Sequence, residues 1–319
     1  MQYSDILLCG GLMSFLKWMG GKSQVLHIFK DYFPDFANIN GYIEPFLGGA
    51  NVYFYVMENW KAKLEGKPIY ISDVNKELIN CYRCVRNSVN KVIPLLEEHQ
   101  KLNSEKHYYD VRNEYPPGDK MTDVEKAAAF IYLSRAAFGG LWRVNSQGKM
   151  NAPFNKNPNI NIMNRELGNE LRNYSVLLKQ AEIKLSSFEN ILTINGGNLK
   201  GWFCYLDPPY FDIGNNAFTG YSKDGYSVAN RLNLPKVFKE LDKKGCKVMM
   251  SNSDASVIYR DFKDFNIHNI TTNRTTGIQL SSITKEKMGD AKKLKEVVVI
   301  NYKINDKQRT MDNSWGEYI

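Results

Sequence analysis

The stretch WFCYLDPPYFD (202–212) ends an apolar run with Asp207, Pro208, Pro209 and Tyr210. In that order they form a receptor for a flat ring bearing an NH2 group. The carboxylate and the Pro208 carbonyl can each accept one hydrogen of the amine, and the tyrosine offers a stacking face. The prolines lack backbone N–H groups and stiffen the turn, so the carbonyl stays free to accept. An exocyclic amine on an aromatic base is a poor nucleophile, because its lone pair is delocalised into the ring. With both hydrogens held, the nitrogen moves toward tetrahedral geometry and regains lone-pair density, an effect of positioning and electrostatics. The plainer reading is a chance turn after a buried strand.

Three further stretches carry related groups. FLKWMGGKSQ (15–24) has the outline of a phosphate loop, but G-x-x-x-x-G-K-[ST] needs glycine where Leu16 stands, and no strand precedes it. What remains is Gly20-Gly21 between Trp18 and Lys22, a flat apolar face and a cation for a ligand with a ring and a carboxylate. YIEPFLGGANVYF (42–54) reads as strand, glycine turn and helix start. Gly48 and Gly49 there let backbone approach a nucleotide-like ligand, although the G-x-G-x-x-G fingerprint is absent; a tight structural turn fits equally. IYISDVNKELI (69–79) ends a strand at Asp73. That residue is either a receptor for both hydroxyls of a ribose or the N-cap of the next helix.

Apolar runs at 41–46, 68–73, 182–187, 202–207, 246–252 and 296–302, with a weaker one at 265–270, predict the strands of a parallel α/β sheet. Helical patterns lie between most of them, among them LPKVFKELDKKG (234–245), which stops at a C′ glycine, Gly245. A doubly wound sheet of this kind binds ligands outside the carboxyl ends of its strands. The alternation breaks between about Arg86 and Asn173. That insert is mostly helical and contains TDVEKAAAFIYLSRAAF (122–138), opened by a capping box of Thr122 and Glu125. It reads as a second, smaller domain placed inside the first. GGLWRVNSQGKMNAPF (139–154) follows as a hairpin around Ser146-Gln147-Gly148. Strand alternation puts Leu141, Arg143 and Asn145 on one face and Trp142 and Val144 on the other. An apolar wedge, a guanidinium and a carboxamide suit DNA, the Arg for guanine edges and the Asn for adenine or phosphate.

The chain has 319 residues and a formal charge of +8, and 43% hydrophobic content is enough for a real core. The basic excess points to a polyanionic partner, nucleic acid before membrane. No apolar run approaches the ~20 residues of a membrane span. The start MQYSDILLCGGLM lacks a basic n-region, which argues against a secretion signal, and translation from Met13 would make the preceding residues dispensable. Five scattered cysteines point to a reducing compartment, the cytoplasm, without a disulfide framework. Cys81 and Cys84 form a C-x-x-C, but ELINCYRCVRNSV has helical spacing and no second pair or spaced histidines join it, so no metal is expected.

These pieces in this order resemble the Dam-type DNA adenine methyltransferases, the alpha group of amino-methyltransferases. The family's KWxGGK, EPFxGxG, strand-end acidic residue, NGLxRxN…G.FNxPFG and DPPY appear here as KWMGGK, EPFLGGA, ISDVN, GGLWRVNSQGKMNAPFN and DPPY. FTGY (218–221) and SNSD (251–254) also have counterparts, and the likeness runs from about Phe15 to Tyr302. The resemblance implies a Rossmann-like S-adenosylmethionine-dependent methyltransferase sheet, with an inserted, mainly helical DNA-recognition domain carrying the hairpin. The catalytic domain would be 1–85 and 174–319, and the target-recognition domain 86–173. It also implies methyl transfer from S-adenosyl-L-methionine to N6 of a flipped adenine in double-stranded DNA, with GATC as the family's best-known site. Trp18, Lys22, Glu44, Phe46, Gly48, Gly49, Asp73 and Asp207 would meet the cofactor, and Asp207, Pro208, Pro209 and Tyr210 would hold the adenine. Phe138, Leu141, Arg143 and Asn145 would touch DNA.

Three departures stand out. Ala50 replaces the last glycine of the family's turn. Phe138 and Gly139 stand where the best-known members carry tyrosine and asparagine, which bears on GATC. The basic stretch 271–295 is longer than its usual counterpart. DPPY alone also suits cytosine-N4 or a base in RNA, and a catalytically silent DNA-binding relative is the rival of another class. A cognate restriction endonuclease acting separately, the oligomeric state and a preference for hemimethylated DNA stay open.

Overall fold

The computed structural model describes residues 14–18, 20–116, 120–140, 142–145, 147–157, 160–210, 227–272 and 294–304. Leu141, Ser146, the FTGY stretch, the first dozen residues and most of the basic stretch 271–295 lie outside them. In chain order the strands are β1 (Tyr42–Glu44), β2 (Ile69–Asp73), β3 (Glu182–Leu185), β4 (Phe203–Leu206), β5 (Lys247–Ser253), β6 (Asn266–Thr272) and β7 (Leu294–Ile300). They form one seven-stranded sheet in the order β3-β2-β1-β4-β5-β7-β6. The order reverses at β1/β4, so the carboxyl ends of those strands, at Glu44 and Leu206, open on the switch point where such sheets bind ligands.

The predicted all-parallel sheet needs one correction. β7 runs antiparallel to both β5 and β6. β6 runs in the same direction as β5, so β7 alone is reversed between them. Apolar periodicity reports burial and carries no sign of direction, so the reversal was not legible in the run itself.

The strands are apolar on both faces because both are covered. Tyr42, Ile71, Phe203, Tyr205, Met249 and Val298 face one buried cluster. Ile43, Cys204, Leu206, Val248, Met250 and Val297 face a second. Helices α2 (Asn51–Leu64), α3 (Lys76–Leu102), α5 (Asp123–Ala136) and α6 (Arg165–Leu178) contribute to the first. α7 (Val228–Lys243) and α8 (Ser256–Asp261) cover the second. α7 begins before the predicted 234–245 pattern and stops ahead of Gly245, whose φ of 71° suits a C′ glycine. Past Lys22 the chain forms the short α1 (Leu26–Phe29) and a 3-10 turn (Lys30–Tyr32).

Within 86–173, α5 packs along α3, from Asn80, whose side chain donates to the Asp123 carbonyl, to His99, which stacks on Tyr132, and α4 (Glu105–Glu114) packs on α5. α3 continues through the 85/86 position and departs from helical geometry at Ser88 (φ −142°). Phe130 and Tyr132 of α5 share one buried cluster with Phe203 and Tyr205 of β4, so the core is continuous. The Thr122–Glu125 capping box is present, and Cys81 and Cys84 sit buried on α3. The hairpin is reduced to bridges pairing Val144 with Met150 and Ala137 with Phe154. Among the described residues no helix is long and apolar enough to cross a membrane.

Candidate active site

β4 is buried along its whole length and delivers Asp207 to the switch point. The Lys22 ammonium lies 2.7 Å from Asp207 Oδ1, and the Ser251 hydroxyl donates to the same oxygen at 2.9 Å. Tyr205 and Ser251 join hydroxyls at 2.8 Å beneath it. Among the described residues both polar contacts of the carboxylate fall on Oδ1, which leaves Oδ2 to a ligand. Burial pushes the Asp207 carboxyl above its ordinary value, Lys22 and Ser251 pull it down, and Glu296 adds an upward push.

Lys22 comes from the loop ahead of α1, is only 2% exposed, and also donates to the Gly20 carbonyl at 2.9 Å. Its ammonium stands 4.7 Å from the centre of the Tyr210 ring, a cation–π distance. The Tyr210 hydroxyl in turn donates to Glu296 Oε2 at 2.7 Å. Lys22, Asp207 and Tyr210 therefore form one contiguous group, with Pro208 buried between them.

Next to this group, Glu44 ends β1 and is 2% exposed. Burial raises its pKa to about 8, with Asp207 adding to the rise and the Tyr42 hydroxyl, which donates at 2.5 Å, opposing it. The glycine turn follows. Gly48 N–H donates to Asp73 Oδ2 at 3.0 Å, and Asn75 N–H donates to Oδ1 at 2.9 Å. The N-cap of α3 is Asn75 instead, its side chain accepting from Glu77 and Leu78. Asp73 therefore ties the tip of β2 to the turn after β1. An ionised carboxylate has about four acceptor sites, so capacity remains for ligand hydroxyls. Burial raises its pKa, and the backbone N–H groups hold it down. The Tyr82 hydroxyl secures the turn from the other side by donating to the Gly48 carbonyl at 2.7 Å.

Trp18 lies against this turn: a β-carbon at Gly48 would meet its indole at 3.2 Å, and one at Gly49 would meet its Cβ at 3.0 Å. Gly48 also has φ +46°, so both the close approach and the backbone favour glycine there. The other side of Trp18 stacks toward Trp142 (6.4 Å, 18°) and Phe130 (6.1 Å). Phe46 stacks on Phe188 at 5.1 Å. Ala50, at the glycine position of the turn, adopts a left-handed conformation with φ 56°.

Of the DNA-directed candidates, Phe138, Arg143 and Asn145 lie within the described residues and Leu141 outside them. Phe138 is 50% exposed, with its backbone anchored to the Pro153 carbonyl. Trp142 is buried, and Arg143 and Asn145 are half-buried on the alternate side. Arg143 donates to the Asn151 carboxamide oxygen at 2.7 Å, which fixes the guanidinium across the hairpin. The Asn145 carboxamide oxygen accepts from Gln147 and Lys149 N–H groups, leaving its NH2 as the end available to a ligand.

Glu296, Ser251 and Tyr82 were not foreseen as parts of the site. Ser251 carried a signal, since it opens SNSD at the end of a predicted strand. Glu296 heads a valine run and reads as the polar edge of a strand, and Tyr82 reads as one apolar position of a helix.

The family model described as D12 class N6 adenine-specific DNA methyltransferase matches residues 18–276. A type II methyltransferase of Lactococcus lactis subsp. cremoris, M1.LlaDCHI, is 37% identical over 294 residues, covering 91% of this chain and 96% of its own. The type II methyltransferase M.MjaIII of Methanocaldococcus jannaschii is 33% identical, covering 90% and 98%. A DNA adenine methylase of Vibrio cholerae is 24% identical, covering 82% and 89%. A site built around DPPY and a match across most of the sequence lead to the same place: the chain belongs to the family of D12 class N6 adenine-specific DNA methyltransferases.

Proposed function

We propose that the protein methylates the exocyclic N6 of an adenine in double-stranded DNA, with the base turned out of the helix and S-adenosyl-L-methionine as the methyl donor. The observation that carries this is the Asp207 carboxylate, fixed through Oδ1 by Lys22 and Ser251 with Oδ2 left over, beside the Tyr210 ring. The neighbouring residues suit the donor chemically. Buried Glu44 would meet an ammonium, Lys22 a carboxylate, and Asp73 a ribose. The glycine turn under Trp18 and Phe46 offers close backbone and apolar faces. When bound, the donor supplies a sulfonium-activated methyl group whose C–S bonding pair departs with sulfur.

The protein's part is to hold the amine. Asp207 Oδ2 and the Pro208 carbonyl accept its two hydrogens, and Tyr210 replaces the base stack lost on extrusion. The N6 lone pair then forms the new N–C bond, and the N6 proton passes to Asp207 Oδ2, whose proton affinity burial has already raised. Residues 86–173 serve as the DNA-recognition part, with Phe138, Leu141, Arg143 and Asn145 reading the site. GATC is the first sequence to try, with Phe138 and Gly139 as the positions that would redirect it.

The test is methyl incorporation from labelled S-adenosylmethionine into plasmid DNA free of adenine methylation, with the modified bases mapped. Asp207→Ala should abolish transfer while leaving DNA affinity within a few-fold. Robust turnover in that variant would sink the mechanism. Methyladenine outside GATC would keep the chemistry and overturn only the recognition sequence.

A further inference from the structure

Glu296 is a carboxylate in an unusual place. It precedes Val297, Val298, Val299 and Ile300, all buried, and is itself 1% exposed. Charged side chains are almost never fully buried without a partner, because desolvation is costly. Its backbone is paired on both sides, with Ser253 of β5 and Ile270 of β6, so the carboxylate is mounted on the interior of the sheet. One group it serves is the Tyr210 hydroxyl, which donates to Oε2 at 2.7 Å. The helical and strand elements around the site use Asp207, Glu44 and Asp73 for other tasks, and Glu296 has no place in the mechanism above.

We propose that Glu296 is a positioning residue for methyl transfer: from β7 it holds the Tyr210 hydroxyl and so fixes the plane of the ring on which the target base stacks. This rests on the reading of Tyr210 as the base platform. Two physical consequences follow from the hydrogen bond. The first is geometric, because a ring tethered at its far end to the sheet cannot swing about the turn that follows Pro209. The second is electronic. A phenol that donates to a carboxylate has an electron-rich ring, which attracts cations to its faces. Lys22 already sits at 4.7 Å from that ring. As the methyl group arrives, positive charge develops on the amine and its base, and an electron-rich face stabilises it more than the neutral ground state.

The experiment compares Glu296→Leu, Glu296→Gln, Tyr210→Phe, Tyr210→Ala and the double variant Glu296→Leu/Tyr210→Phe. Labelled S-adenosylmethionine and unmethylated plasmid DNA supply kcat and KM. Glu296→Leu and Tyr210→Phe should each lower kcat about ten- to a hundredfold, the range for losing a hydrogen bond to a charged group, with the KM for DNA nearly unchanged. The double variant should be no slower than the slower single one, since both changes remove one interaction. Glu296→Gln keeps an acceptor oxygen and should recover much of kcat without all of it. Wild-type kcat in Glu296→Leu, or losses that multiply in the double variant, would overturn the assignment. If Glu296→Leu fails to fold, Tyr210→Phe and its combination with Glu296→Gln run the same cycle without an apolar residue at 296. Tyr210→Ala separates the two levels. If it turns over normally, the base-platform reading falls and this proposal with it; if it is inactive while Glu296→Leu is unimpaired, only the role of Glu296 falls.

Discussion

Replacing Lys22 with methionine should expose how strongly the site is held together before any ligand arrives. The ammonium makes a 2.7 Å ion pair with Asp207 and a 2.9 Å bond to the Gly20 carbonyl while 2% exposed. Removing one member of a buried pair costs about 3–5 kcal/mol, because the other charge stays behind in a poor solvent. Asp207 is 21% exposed and keeps Ser251, so the low end, about 3 kcal/mol, is the appropriate figure. That is roughly a hundredfold in the folding equilibrium. The cost should depend on pH in a definite direction. The folded Asp207 carboxyl already titrates above its usual value, and losing the ammonium lifts it further. Above that folded pKa the lone carboxylate is ionised and the deficit is full. As pH falls through it, the folded state takes up the proton before the unfolded state does, and the deficit shrinks. Urea unfolding of wild type, Lys22→Met, Asp207→Asn and the double variant at pH 5.5 and 8.5 would measure this. The double variant should be more stable than the sum of the single changes predicts, by about 2 kcal/mol or more. Strict additivity, or a Lys22→Met deficit that grows on acidification, would refute the reasoning.

Other outcomes follow from single residues. Glu44 has a folded pKa of about 8 against an ordinary 4.5, so wild-type stability should decline between those values as pH rises, and Glu44→Gln should flatten that slope in unfolding titrations. If the donor's ammonium meets Glu44, cofactor affinity measured by calorimetry should rise as pH passes upward through about 8, and Glu44→Gln should remove that dependence. Ala50→Gly relieves a left-handed backbone worth about 1 kcal/mol but gives up a buried methyl worth about 0.8 and adds unfolded-state freedom, so thermal unfolding should show a net change within about 1 kcal/mol. Phe138→Ala, at a half-exposed side chain, should leave stability within about 0.5 kcal/mol while changing the mapped methylation sequence or the KM for DNA.

Much of this molecule was legible because its signals are local. Apolar runs located the strands, and Asp73 and Asp207 were readable from what ends each run, whereas Glu44, inside the 41–46 run, came only with the family resemblance. The Thr122–Glu125 box was readable because its two members lie within one turn. What stayed hidden depends on pairings that residue order does not encode. Lys22 was seen as a cation near glycines, but its partner Asp207 lies at the far side of the sheet sequence and meets it only through folding. Of the two readings of Asp73 the N-cap fell to Asn75, and the contact that residue order did not show was the Gly48 N–H. Trp142 was placed on the opposite face from Arg143, yet nothing in the hairpin's alternation said that this face would rest on Trp18. The reversal of β7 was invisible for the same reason: direction is a property of the return path.

That reversal has a consequence for how the protein tolerates change. The parallel strands present their final residues to the site, but β7 presents its first ones, with Glu296 opposite Ser253 and Thr272 opposite Leu294. Register at the Tyr210 anchor is thus set by a ladder that continues inward to Ile300, rather than by the length of chain that precedes it. A deletion or insertion in the chain between β6 and β7 should therefore leave the Tyr210–Glu296 bond in place so long as the pairs from Glu296 to Ile300 still form.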